Sequence, residues 1–110
     1  MKKWKCPCGY IHDGDTAPAN CPKCGAPAEK FTILDDAAAT LVERSRRTNM
    51  LHAQLIAHAR EIEAICKDGI ADALDPACVD VFKKSQTNAY VMMKLSMTEL
   101  QGHMNKGKWG

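Results

Sequence analysis

Of the six cysteines in this 110-residue chain, four fall within the first 24 residues. They form two close pairs, Cys6-Pro7-Cys8-Gly9 and Cys21-Pro22-Lys23-Cys24-Gly25, with twelve residues between Cys8 and Cys21. Paired cysteines joined by a Gly- and Pro-containing loop can form two knuckles that present four sulfurs to one tetrahedral ion. The glycine after each pair lets the backbone turn with positive φ. Peptide N–H groups then point at the sulfurs and spread the excess negative charge of a four-thiolate centre. This pattern predicts one metal ion per chain held by Cys6, Cys8, Cys21 and Cys24. Iron and zinc both accept tetrahedral sulfur, so spacing alone does not separate them.

The segment carrying these ligands, residues 1–34, is rich in Gly, Pro, Asn and Asp, with short apolar pieces such as Tyr10-Ile11 and Phe31-Thr32-Ile33-Leu34. That is a pattern of turns and very short strands. A segment this small buries too little apolar surface to offset its chain entropy unaided. The metal is therefore expected to be a folding requirement as well as a functional one.

Residues 4–34 resemble the rubredoxin-like domain of the rubrerythrin type. The resemblance rests on Trp4, the run Cys8-Gly9-Tyr10-Ile11-His12, Gly14, Ala17-Pro18, the twelve-residue gap, Cys21-Pro22-Lys23-Cys24-Gly25, Pro27 and Lys30-Phe31. It implies a single iron in an Fe(SCys)4 centre that passes one electron, with aromatic residues such as Tyr10 and Phe31 beside the site. One departure stands out. The family has two residues between its first two cysteines, and here there is only Pro7. The first knuckle is then tighter, its N–H···S bonds rearranged, and its reduction potential altered.

From Asp35 the composition changes to Ala, Leu, Glu, Arg and Ile at helical spacing, without Pro or Gly until Gly69. This predicts a helix over about 36–68, started by Asp35/Asp36 or by the capping box Thr40-Leu41-Val42-Glu43, and stopped by Gly69. Leu41, Thr48, Leu55 and Ile62, interleaved with Leu51, His58 and Ile65, read as its packing seam. Asp75-Pro76 is a good N-cap and first position for a second helix, over about 76–104. Its stripe is Phe82, Ala89, Met93, Ser96, Leu100 and His103, flanked by Val79, Met92 and Met97.

The expected architecture is a small β metal-ribbon domain (1–34) followed by an all-α antiparallel helical hairpin (35–110). A lone hairpin leaves apolar surface in water. Two chains are expected to pair as a homodimeric four-helix bundle; the alternative is a monomer whose metal domain folds back on the hairpin.

A net charge of +2, with five lysines against three acids up to Leu34 and ten bases against ten acids beyond it, gives no basic patch for nucleic acid. No apolar run is long enough to span a membrane, and the first residues lack the apolar core of a signal peptide. A cytoplasmic location is the expectation. In that reducing setting paired cysteines read as metal ligands rather than disulfides.

A carboxylate-bridged di-iron bundle needs Glu-x-x-His on its helices, and the helical region has none. His52, His58 and His103 read as hydrogen-bonded interface histidines, and His12 as a shield of the metal loop. Cys66 and Cys78 bracket the connector, either as small buried hydrophobes or as a pair near disulfide distance. Met92, Met93 and Met97 read as adaptable core packing. Nothing has the setting of a catalytic nucleophile or general base. The reading is a one-electron carrier rather than a catalyst, docking an unidentified redox partner through Lys2, Lys3, Lys5 and Lys23. The alternative is a zinc-stabilised ribbon on a helical adaptor.

Overall fold

The computed structural model describes residues 1–110. The chain divides into two compact units, residues 1–46 with 106–110, and residues 47–105.

In the first unit, β1 (Lys3–Lys5) is the centre of a three-stranded antiparallel sheet, flanked by β2 (Ile11–Asp13) and β3 (Thr32–Ile33). The register sets Trp4 opposite His12 on one side and Ile33 on the other. A sheet of eight residues cannot enclose a core. Apart from the cysteines Cys6 and Cys21, the only buried member of its apolar cluster is Phe31, with Trp4, Ala17 and Ala26 packed against it. A 3-10 turn at Ala28–Lys30 returns the chain to β3.

The long helix α1 (Asp36–Asp72) starts at Asp35. The Asp35 side chain accepts the Ala38 N–H at 2.7 Å, and its carbonyl accepts the Ala39 N–H. These bonds satisfy two of the donors a helix start leaves open. The second helix, α2 (Pro76–Asn105), begins as expected: the Asp75 carboxylate accepts the Cys78 N–H at 2.7 Å. That bond holds the Asp75 carboxyl below its ordinary range.

Gly69 does not end α1, which runs three residues further. A Cβ at Gly69 would clash with the Phe82 ring, so this glycine lets the second helix approach closely. The stop comes at Ala73, in the left-handed region at φ +50°, where its N–H reaches the Gly69 carbonyl. Gly69 and Phe82, His52 and Ser96, and Asn49 and His103 meet across the pair, so α1 and α2 form an antiparallel hairpin.

The α2 stripe expected from sequence faces α1: Ala89, Ser96, Leu100 and His103 are buried, Phe82 and Met93 half-buried. The α1 seam is shifted by one residue. Its inward line is Asn49, His52, Ile56, Ala59, Glu63 and Cys66, while Leu51, Leu55, Ile62 and Ile65 stay exposed. The strongest apolar stripe in the sequence is therefore not the one that faces the second helix. The seam itself is small and polar, and one Glu63 oxygen is buried without a partner.

Gly69→Ala is expected to destabilise the hairpin by about 1–3 kcal/mol through overpacking, despite alanine's better helix propensity. Ala73→Gly, which relieves the left-handed residue, is expected to stabilise it by about 0.5–1 kcal/mol. Thermal melts of both variants followed by circular dichroism at 222 nm check the opposite signs.

Candidate metal centre

Cys6 and Cys8 lie just after β1, and Cys21 and Cys24 on the facing loop. Both segments fold into knuckles closed by the same pair of backbone hydrogen bonds. In the second, Gly25 N–H donates to the Cys21 carbonyl and Cys21 N–H to the Ala26 carbonyl, both at 2.8 Å. In the first, Gly9 N–H donates to the Cys6 carbonyl and Cys6 N–H to the Tyr10 carbonyl, both at 2.9 Å. The first loop achieves this closure with one residue fewer. Gly9 and Gly25 sit at φ +101° and +79°, where a Cβ would be strained although space is open around it.

These two turns bring all four sulfurs within 4.8 Å of one another. Cys6 Sγ is 3.5 Å from Cys24 Sγ, and Cys8 Sγ is 3.7 Å from Cys21 Sγ. A metal–sulfur bond of about 2.3 Å spaces the corners of a regular tetrahedron about 3.8 Å apart. The donor set fits a single tetrahedral ion, and the four cysteines are poised to bind one.

The sulfurs are not equivalent. Cys6 and Cys21 are buried beside Phe31, whereas Cys8 and Cys24 are exposed, so one edge of the tetrahedron meets solvent. The Cys21 sulfur is desolvated by burial, yet it accepts the N–H groups of Cys24 and Lys23. With the Cys6 and Cys8 thiols donating as well, its pKa falls to about 7. The Cys6 sulfur accepts only the Cys8 N–H. Burial and hydrogen bonds with the other thiols outweigh that single donor and push it up to about 12. The shortened knuckle accounts for the difference in backbone donors: the third residue after Cys6 is Gly9, whose N–H is already committed to the Cys6 carbonyl.

A comparison against known families matches residues 4–32 to the family described as rubrerythrin, rubredoxin-like domain. Residues 4–32 are a rubredoxin-like domain of the rubrerythrin type. Reverse rubrerythrin-1 of Clostridium acetobutylicum is 54% identical over 37 residues, which cover 33% of this chain and 20% of that protein. Rubrerythrin-1 of the same organism is 51% identical over 37 residues, 33% of this chain and 19% of its own length. Rubrerythrin of Nitratidesulfovibrio vulgaris is 48% identical over 33 residues, 29% of this chain and 17% of its own. The chain thus spans about a fifth of the length of the curated relatives it matches, and its helical remainder is unassigned. No solved structure matches it.

Around the rubredoxin-like domain, several side chains take places other than those expected. Phe31 packs beside the sulfurs, but Tyr10 is exposed, and Trp4 takes the second aromatic place, its indole N–H donating to the Gly14 carbonyl. His12 stands in β2 opposite Trp4, with its ring against Gly14. Lys3 is not a docking lysine. It is buried, and its ammonium donates to Asp13 at 2.9 Å and to Glu43 at 2.7 Å. Arg46 grips the same Asp13 carboxylate with two N–H groups.

Composition gave no sign of this network. Its only sequence signal was a lysine in the middle strand of a three-stranded sheet, where a charge has to find partners. Burial opposes the Lys3 charge, but Asp13 and Glu43 more than restore it and hold its pKa above the ordinary value. Arg46 foremost, and Lys3 after it, keep Asp13 well below the usual carboxylate range against the cost of burial.

In the hairpin, His52 and His103 meet edge to face, with ring centroids 6.0 Å apart. The first shares a 2.9 Å hydrogen bond with Ser96, the second a 2.6 Å bond with Asn49. His58 is exposed beside Glu61 rather than in the seam. Cys66 is buried in the seam, Cys78 is half-buried, and both are free thiols.

Asp13→Ala is expected to cost about 1–2 kcal/mol at pH 7, because it takes a carboxylate from the buried Lys3. Asp13 has a depressed folded-state pKa, so its contribution is complete above the unfolded value near pH 4 and lost as pH falls below it. Denaturant titrations of the metal-loaded wild type and variant should show a constant gap from pH 7 to about 5. The gap should then narrow below about pH 4.

Proposed function

We propose that Cys6, Cys8, Cys21 and Cys24 hold one iron per chain and that the protein carries single electrons. The observation that carries this reading is the four-sulfur cluster at tetrahedral spacing inside a rubredoxin-like domain of the rubrerythrin type. An iron ion held there supplies a one-electron ferric–ferrous couple.

The chain's own groups suit that task. Two knuckles closed by backbone hydrogen bonds hold the sulfurs in place, which limits rearrangement when the charge of the centre changes. Phe31, Trp4 and the burial of Cys6 and Cys21 keep water from one side. The exposed sulfurs of Cys8 and Cys24 give a redox partner a short approach on the other. Exposed Lys2, Lys5 and Lys23 offer positive charge for an acidic partner surface. A cytoplasmic, reducing setting suits four thiolate ligands and the further unpaired thiols Cys66 and Cys78. No helix is long and apolar enough to cross a membrane.

Protein produced anaerobically with iron should be red, contain one iron per chain, bleach on mild reduction and recover its colour in air. A colourless protein retaining one zinc after iron-supplemented growth would instead make the centre a structural ribbon. Cys21→Ser should abolish stoichiometric metal binding and unfold the N-terminal unit, read by elemental analysis and near-ultraviolet circular dichroism.

Inserting a lysine between Pro7 and Cys8 restores the length of the second knuckle and returns an N–H donor to the Cys6 sulfur. Hydrogen bonds to sulfur stabilise the more negative, reduced centre. Protein-film voltammetry should therefore show the insertion variant at a higher reduction potential than wild type.

A further inference from the structure

The hairpin unit, residues 47–105, has little core of its own. Its buried apolar side chains are Ala59, Cys66, Ala89 and Leu100, of which only Leu100 is large. A unit of this size needs more apolar burial than a seam of small and polar residues supplies.

The missing side chains are on one face. In α1 the inward line repeats through Asn49, His52, Ile56, Ala59, Glu63 and Cys66; in α2 it repeats through Phe82, Ala89, Met93, Ser96, Leu100 and His103. On α1 the flank just before this line holds Leu51, Leu55, Ile62 and Ile65; on α2 it holds Met92 and Leu95. Corresponding flanks of antiparallel helices lie on the same side of the pair, so these six side chains form one surface, each between 36% and 67% exposed. Between Thr48 and Gly69 on α1, and between Cys78 and Leu95 on α2, that flank carries no Asp, Glu, Lys or Arg; on α1 His58 interrupts it, exposed and bonded to Glu61. The opposite flank differs, with Arg60, Lys67, Lys83 and Lys94, the last lying over the Tyr90 ring.

We infer that this uncharged face is covered by the same face of a second copy of the chain, giving a two-fold symmetric four-helix bundle. Two helices side by side over some twenty residues present roughly 30 by 20 Å. That is close to the roughly 800 Å² per partner of a standard stable interface. Exposed apolar patches on monomers seldom exceed a few hundred Å². A face without fixed charge has nothing to select an unlike, charged partner, whereas a two-fold contact sets the same uncharged surface against itself. The second layer gives each helix a second neighbour and supplies the large apolar core the hairpin lacks.

Sedimentation equilibrium of the full metal-loaded chain at about 10 μM should give twice the 12.1 kDa chain mass. The melting temperature should rise with protein concentration. Leu55→Glu and, on the other helix, Leu95→Glu should each weaken dimerisation by at least about a hundredfold, because symmetry introduces the charge twice. Tyr90→Glu, on the opposite flank, should leave the dimer intact.

A monomeric wild type at 100 μM would overturn the inference and leave this face to an unlike protein or a lipid surface. A dimer that survives both Leu→Glu changes, or is lost with Tyr90→Glu, would overturn it equally. Should the glutamate variants lose their helical signal, Leu55→Ser and Leu95→Ser replace them. A dimer undiminished by the serine changes in folded protein would count against the inference in the same way.

Discussion

Four sulfurs within 4.8 Å of one another concentrate acceptor charge in a unit too small to bury it under hydrocarbon. The rest of the N-terminal unit is arranged around that constraint. Two turns aim peptide N–H groups inward, and two glycines at positive φ permit those turns. A single buried phenylalanine backs the buried pair of sulfurs. Because the two knuckles use the same closure with different residue counts, they differ chemically: two N–H groups reach the Cys21 sulfur and one reaches Cys6. Removing one residue from one turn changes how many backbone donors its first ligand receives.

Away from the sulfurs, the same unit is tied together by charge. Lys3, buried in the central strand, reaches Asp13 on β2 and Glu43 on α1, while Arg46 holds Asp13 from the helix. A buried ammonium left without carboxylates would be costly. The network thus fixes the first turns of α1 to the sheet and makes them part of the N-terminal unit. Hydrogen bonds do here what a larger hydrophobic core does in larger domains.

The helical unit reverses the usual division of labour. Its two helices meet through alanine, serine, cysteine, asparagine and histidine, which permit close approach and pair with one another, as in His52 with Ser96 and His103 with Asn49. Leu51, Leu55, Ile62, Ile65 and Leu95 are left on the outer face, with Leu100 and Ile56 turned inward. Gly69 belongs to the same design, since it gives the Phe82 ring a place against the backbone of α1.

Local chemistry made much of this legible from the amino-acid sequence. Cysteine spacing, with a glycine after each pair, marked the four-sulfur site, because only neighbours in the chain are needed to build a knuckle. Asp75-Pro76 marked the start of α2 for the same reason, and the α2 stripe followed from its period. What tertiary structure decided was every choice between surfaces of similar local merit. The α1 pattern contains two stripes one residue apart, and the more apolar one looked like the seam; packing against Ala89 and Ser96 selected the smaller and more polar one. Gly69 looked like a stop until Phe82 filled the space above it. Lys3 looked like a docking charge until the fold brought Asp13 and Glu43 to it. Sequence alone determined which groups can bind a metal and where the helices begin, because those depend on residues close in the chain. Which side of a helix is inside, and which charges are paired, depends on residues far apart in the chain, 54 positions in the case of Asn49 and His103, and only the folded chain brings those together.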